Sequence, residues 1–123
     1  MKRANYDNRP AIFEAVGNGS YIYRWDIQEE KTPAEGSEKE RVSYTCLEVI
    51  VWGVVTRAKV KSACINAMWG DGVEEKLIND YNAAVLKVLD TSYKEAYKNF
   101  LTERKALKEQ VEADLIPLGI PAE

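Results

Sequence analysis

The chain has 123 residues, with 17 Lys and Arg against 20 Asp and Glu, no histidine and a formal net charge of −3. That length fits one domain with a single core and excludes a separate substrate-binding lobe. With 46% hydrophobic and 30% charged residues, the composition is that of a folding globular chain, neither disordered nor fibrous.

Residues 1–10 are polar and close on Pro10. They read as an extended N-terminal arm ahead of a single domain over 11–116. Lys2 and Arg3 have the positive character of an export signal, but no apolar stretch of about 7–15 residues follows them, so a signal peptide is not expected. Ala11–Val16 is a short apolar segment that meets Gly17-Asn18-Gly19-Ser20. Asn-Gly favours a hairpin turn because both residues accept positive φ, and the turn also accounts for the Asn18-Gly19-Ser20 glycosylation pattern.

Tyr21, Tyr23, Trp25 and Ile27 alternate with Ile22, Arg24, Asp26 and Gln28, which is the period of a strand with one aromatic face. Glu29–Glu40, with Pro33 and Gly36, is charged and rich in breakers and predicts an exposed loop. Arg41–Trp52 predicts a longer strand, regular through Val42, Tyr44 and Cys46 and then continuously apolar from Val49 to Trp52. That run predicts an end buried on both faces. Glu48 interrupts the pattern, so either a bulge falls there or the carboxylate finds a partner. Cys46 and Cys64 read as reduced core residues, since two thiols are too few for a disulfide framework.

Past Gly53 the period becomes helical. Thr56 is a candidate N-cap, and Val60, Ala63, Cys64 and Ala67 form one apolar stripe. Asp71-Gly72-Val73-Glu74 has the form of a capping box for a second helix, whose buried face would be Leu77, Tyr81, Ala84, Val85 and Val88. Ser92-Tyr93-Lys94-Glu95 repeats that form and predicts a third helix to Leu115, roughly 35 Å long. Its seam runs through Tyr93, Ala96, Tyr97, Phe100, Leu101, Arg104, Leu107 and Val111. Pro117 and Pro121 then end helix formation, leaving 117–123 as an extended apolar tail. The expected fold is α+β: a three-stranded antiparallel sheet from the N-terminal half, packed against three C-terminal helices of which the last is long.

The missing histidine removes the commonest general base and metal ligand. No phosphate-binding glycine loop or zinc-ligand spacing is present, so no catalytic, cofactor or metal residues are expected. A net charge of −3 without a basic block predicts no nucleic-acid partner. The longest apolar run is far below the roughly 18 residues of a membrane span, so no membrane partner is expected either. Two features suggest contact surfaces instead. Tyr21, Tyr23 and Trp25 form an aromatic strand face able either to fill the core or to stack on a sugar, and Leu107, Val111, Leu115 and Ile116 lie toward the end of the last helix, where a partner could pack.

The segments Glu48–Gly53, Thr56–Val60, Glu75–Ala84 and Phe100–Arg104 resemble a family of small proteins encoded among the virion and tail genes of gut-bacterial phages and prophages. The layout of a short β meander followed by helices is similar, more faintly, to domains of phage tail-fibre assembly proteins. The resemblance implies a non-enzymatic structural protein of the virion, assembled in the bacterial cytoplasm, with further copies of itself or other phage structural proteins as partners. A phage assembly chaperone absent from the finished particle, and a small carbohydrate-binding module using the aromatic strand face, are the alternatives.

Overall fold

The aromatic alternation after Gly19 builds the central strand. The computed structural model describes residues 1–32, 36 and 40–123. In it β3 (Ser20–Thr32) pairs antiparallel with β4 (Arg41–Trp52). β2 (Phe13–Ala15) lies along the free side of β3, and β1 (Ala4–Tyr6) along the free side of β4. The sheet is therefore four-stranded, in the order β1-β4-β3-β2, and not three-stranded as expected. Part of the expected N-terminal arm is the fourth strand. A strand of three residues has no readable period of its own, and its stability comes from distant partners: Ala4 opposes Cys46 and Tyr6 opposes Tyr44, while Arg3 donates to Asp26 at 2.8 Å and to the Thr45 hydroxyl at 3.2 Å.

The β2–β3 turn forms where the Asn-Gly pair predicts it, but through different geometry: Gly17 and Gly19, which flank Asn18, and not Asn18 itself, take the positive φ. The Val16 amide donates to the Ser20 carbonyl at 3.0 Å, and the Asn18 side chain accepts from the Ser20 amide at 3.2 Å. β3 runs further than the charge pattern suggests. Glu29, Glu30 and Lys31 oppose Tyr44, Ser43 and Val42, so the start of the expected loop is a strand with its charges in solvent. The rest of that loop, residues 33–35 and 37–39, lies outside the described residues. The register shift falls in β3 between Trp25 and Gln28, where Asp26 has φ 51°, and not at Glu48, which has partners instead.

Strand parity then divides the sheet. Tyr21, Tyr23 and Trp25, with Leu47, Val49 and Val51, face the helices. Ile22, Arg24, Glu48, Ile50 and Trp52 face away. Since β1 and β2 occupy opposite edges, the connection 7–12 must cross β4 and β3. Hydrogen bonds from Arg24 to the Ala11 carbonyl at 3.0 Å and from Tyr6 to Glu48 at 2.5 Å hold it over the face away from the helices.

On the other face, α1 (Arg57–Trp69) packs against β4 and α3 (Ser92–Leu115) against α1, while α2 (Val73–Val85) leans on α3. Thr56 caps α1, accepting from the Lys59 amide at 3.1 Å. The two expected capping boxes do not form. α2 begins after Gly72, whose φ of 81° is a left-handed value that glycine adopts without strain. At α3 the Asp90 carboxylate, not Ser92, serves the first turn, accepting from the Ser92 amide at 2.9 Å. Val85 and Val88, expected on a buried face, are exposed, and Ala84 alone is fully buried in α2.

The core joins Tyr23, Trp25, Val49 and Val51 of the sheet to Val60 and Cys64 of α1 and to Leu107, Val111 and Leu115 of α3. Both cysteines are free and buried. Past α3 the tail is docked: the amides of Arg57 and Ala58 donate to the carbonyls of Pro121 and Ala122 at 2.8 and 3.0 Å, which satisfies donors that a helix N-terminus leaves open. No helix among the described residues is long and apolar enough to cross a membrane.

Candidate interaction surface

Most of the residues expected to make contacts belong to the core. Tyr23 is 0% exposed, stacks on Trp25 with centroids 5.7 Å apart and donates its hydroxyl to Asp114 at 2.6 Å. Tyr21 is half-buried and stacks on Phe13 at 5.4 Å. Leu107, Val111 and Leu115 are buried against the same rings. The aromatic strand face therefore offers no open platform for a sugar or a partner, and of the expected contact set on the last helix Ile116 alone is exposed.

The open face of the sheet carries the alternative. Its centre is polar and tightly bonded. Arg24, 4% exposed, donates to Glu48 at 3.0 Å and to the Tyr6 hydroxyl at 3.1 Å, and its guanidinium lies 4.8 Å from the centroid of the Tyr6 ring. Glu14 adds a more distant carboxylate at 3.6 Å. Burial and the neighbouring Glu48 carboxylate raise the Tyr6 phenol, so it stays a donor. This cluster explains how a charged side chain is tolerated on β3: the strap over 7–12 shields it, and every group it meets is a hydrogen-bond acceptor or an aromatic face.

Beside the cluster the same face turns apolar and open. Ile50 and Trp52 are each 57% exposed and Val54, just past the strand, is 81% exposed, with Ile12 and Val16 also in solvent at the β2 edge. Two smaller apolar groups lie elsewhere: Leu86 and Val88 in the turn between α2 and α3, and Ile116 with Leu118 in the tail. The sequence carried a signal for the first of these in the run Val49–Trp52. The run predicts an end buried on both faces, whereas the odd positions enter the core and the even ones stay in solvent.

Burial pushes the Cys64 thiol up to about 12, and burial together with Glu48 raises Cys46, so both are protonated at neutral pH and poor nucleophiles. A hollow of about 420 Å³ at the α1–α2 junction is lined by Trp69, Glu74, Glu75 and Phe100, with Glu74 held by Arg104 at 2.6 Å. Among the described residues no three His, Cys, Asp or Glu side chains are grouped to hold a metal ion.

The class of molecule defined by this geometry is a small α+β domain with an open, partly apolar sheet face. No family model matches the chain, and neither a curated protein nor a solved structure is similar to it.

Proposed function

We propose that this chain is a virion-associated structural protein of a phage or prophage, acting through protein–protein contacts in head or tail assembly and without catalysis. The observation that carries the contact part of the reading is the pair Ile50 and Trp52, held on a central strand yet 57% exposed. A rigid strand presents these side chains with little ordering left to lose on binding, which suits a permanent contact. Exposed Trp flanked by aliphatic residues is the composition of an interface centre. The phage assignment rests on the resemblance of Glu48–Gly53, Thr56–Val60, Glu75–Ala84 and Phe100–Arg104 to virion and tail-region proteins.

Absolute mass by light scattering across a concentration series tests the contact reading. A defined oligomer of the 13.9 kDa chain is expected, reduced toward the monomer by Ile50→Ser with Trp52→Ser while the far-ultraviolet circular dichroism stays unchanged. An oligomer insensitive to both substitutions would remove this face from the assembly. Peptide mass spectrometry of purified particles tests the location: presence supports a virion part, and absence from particles that depend on the protein would make it an assembly chaperone.

A further inference from the structure

We propose that the exposed flank of α3 is a docking site for an acidic helix of a partner protein, a role that goes beyond self-assembly through the open sheet face. Lys94, Lys98, Leu101, Lys105 and Lys108 succeed one another at steps of four, three, four and three residues. At 3.6 residues per turn these steps keep all five within about 80° of arc, in a stripe about 21 Å long. The stripe borders a groove of about 530 Å³ walled by Tyr81 of α2 and Tyr97 of α3, whose rings stand 5.2 Å apart. The groove continues past Leu101 and Lys105 to Lys108.

Its charge is largely uncompensated. Among the described residues Lys94, Lys98 and Lys108 have no carboxylate within ion-pair distance. Lys105 has Glu109 at 3.8 Å, with both side chains well in solvent. The adjacent Arg104, by contrast, is tied to Glu74 at 2.6 Å.

Charge and spacing select the occupant. A second copy meeting this face about a twofold axis would set lysine against lysine, which is repulsive. A nucleic-acid backbone would engage the lysines but leave Leu101 and the tyrosine wall of the groove without an apolar partner, and it would approach a chain of net charge −3. A helix with carboxylates at the same four-three spacing around one central apolar residue answers both features. Its acids meet the lysines, and its apolar side chain sits over Leu101, 40% exposed, beside the tyrosine rings.

The test uses a synthetic alanine-based helix of about 20 residues with Glu at the four lysine-matching positions and Leu at the centre, labelled for fluorescence anisotropy and titrated with the full chain. The comparators are a peptide of equal composition with scrambled spacing and a DNA duplex of about 20 base pairs. The spaced peptide is expected to bind best, at least about fivefold tighter than the scrambled one, and to weaken about tenfold with Lys98→Glu plus Lys105→Glu and with added salt. Leu101→Ala, a milder change on an exposed position, is expected to weaken it about threefold. Equal binding of the two peptides, tighter binding of the duplex, indifference to these substitutions, or no binding of the spaced peptide would each overturn the proposal. Unchanged circular dichroism of the variants separates a lost site from a lost fold.

Discussion

Tyr23 shows how one residue serves the core and the surface chemistry of the fold at once. Its ring fills the space between sheet and helices, stacked on Trp25 at 5.7 Å, while its hydroxyl reaches out of the core to Asp114 at 2.6 Å. Period-two alternation reveals that Tyr21, Tyr23 and Trp25 share a face, but not what covers it, because the covering side chains lie far along the chain, Val60 and Cys64 on α1 and Leu107, Val111 and Leu115 on α3. Burial first, and then the Asp114 carboxylate, push the Tyr23 phenol well above its ordinary value of 10.0. The folded chain therefore keeps a proton that the unfolded chain releases. That contribution is whole below pH 10 and is lost as the pH rises above it. Tyr23→Phe is expected to lower stability by about 1 kcal/mol at neutral pH and to make the alkaline decline shallower. Urea denaturation at a series of pH values reads both effects, and an alkaline limb as steep as that of the parent chain would show that the phenol is not its source.

At the scale of elements, legibility follows the range of the interactions. The place of the β2–β3 turn and the Thr56 cap were readable because each is settled within a few residues, by Gly17, Gly19 and the Asn18 side chain in one and by the Thr56 hydroxyl and the Lys59 amide in the other. β1 was not readable, since its three residues are held by pairing with Tyr44–Cys46. The exposed side of α2 was misread because a helical period shows an apolar stripe without showing how much of it a neighbour covers. The proposed contact surface was half legible: the run Val49–Trp52 was visible, but assigning its alternate residues to opposite faces needs the strand's place in the sheet.

The apolar tail over 117–123, expected only to be extended, also serves as a cap on another element. Three hydrogen bonds join it to the start of α1, those of the Arg57 and Ala58 amides and of the Arg57 guanidinium to the Ile120 carbonyl at 3.1 Å, and Ile120 packs against the core. Ending the chain after Gly119 is expected to cost about 2–3 kcal/mol, from about 0.5–1.5 kcal/mol per lost bond together with the apolar contact. Thermal and urea unfolding measure the loss. Hydrogen exchange locates it: faster exchange at Arg57 and Ala58 is expected, while the amides of β3 facing β4 slow or quicken only with global stability. Unchanged exchange at Arg57 and Ala58 would mean that the tail does not cap α1.

The whole molecule distributes its exposed apolar side chains over separated regions: Ile50, Trp52 and Val54 by the sheet, Leu86 and Val88 at the α2–α3 turn, and Ile116 and Leu118 on the tail. The geometry of assembly depends on how many of these regions act. A single self-complementary patch closes a dimer and stops, whereas two different patches that meet each other extend into rings or open arrays. Leu86 is 74% and Val88 75% exposed, and both flank Lys87, which takes a φ of 64°, a left-handed value that a non-glycine residue adopts only where its surroundings hold it. If the turn and the sheet face are the two halves of one heterologous contact, Leu86→Ser with Val88→Ser must lower the mass as far as Ile50→Ser with Trp52→Ser does, and the combined variant must be no smaller than either. If each region is its own twofold contact, each pair of substitutions leaves a dimer and only the combination yields the 13.9 kDa chain. The heterologous arrangement is the expected one, because the two regions lie on different layers of the fold and on different kinds of element, a strand in one and an inter-helix turn in the other. Sedimentation velocity on the three variants decides it: dimers from both single-region variants and a monomer from the combination would overturn the heterologous contact in favour of two twofold ones.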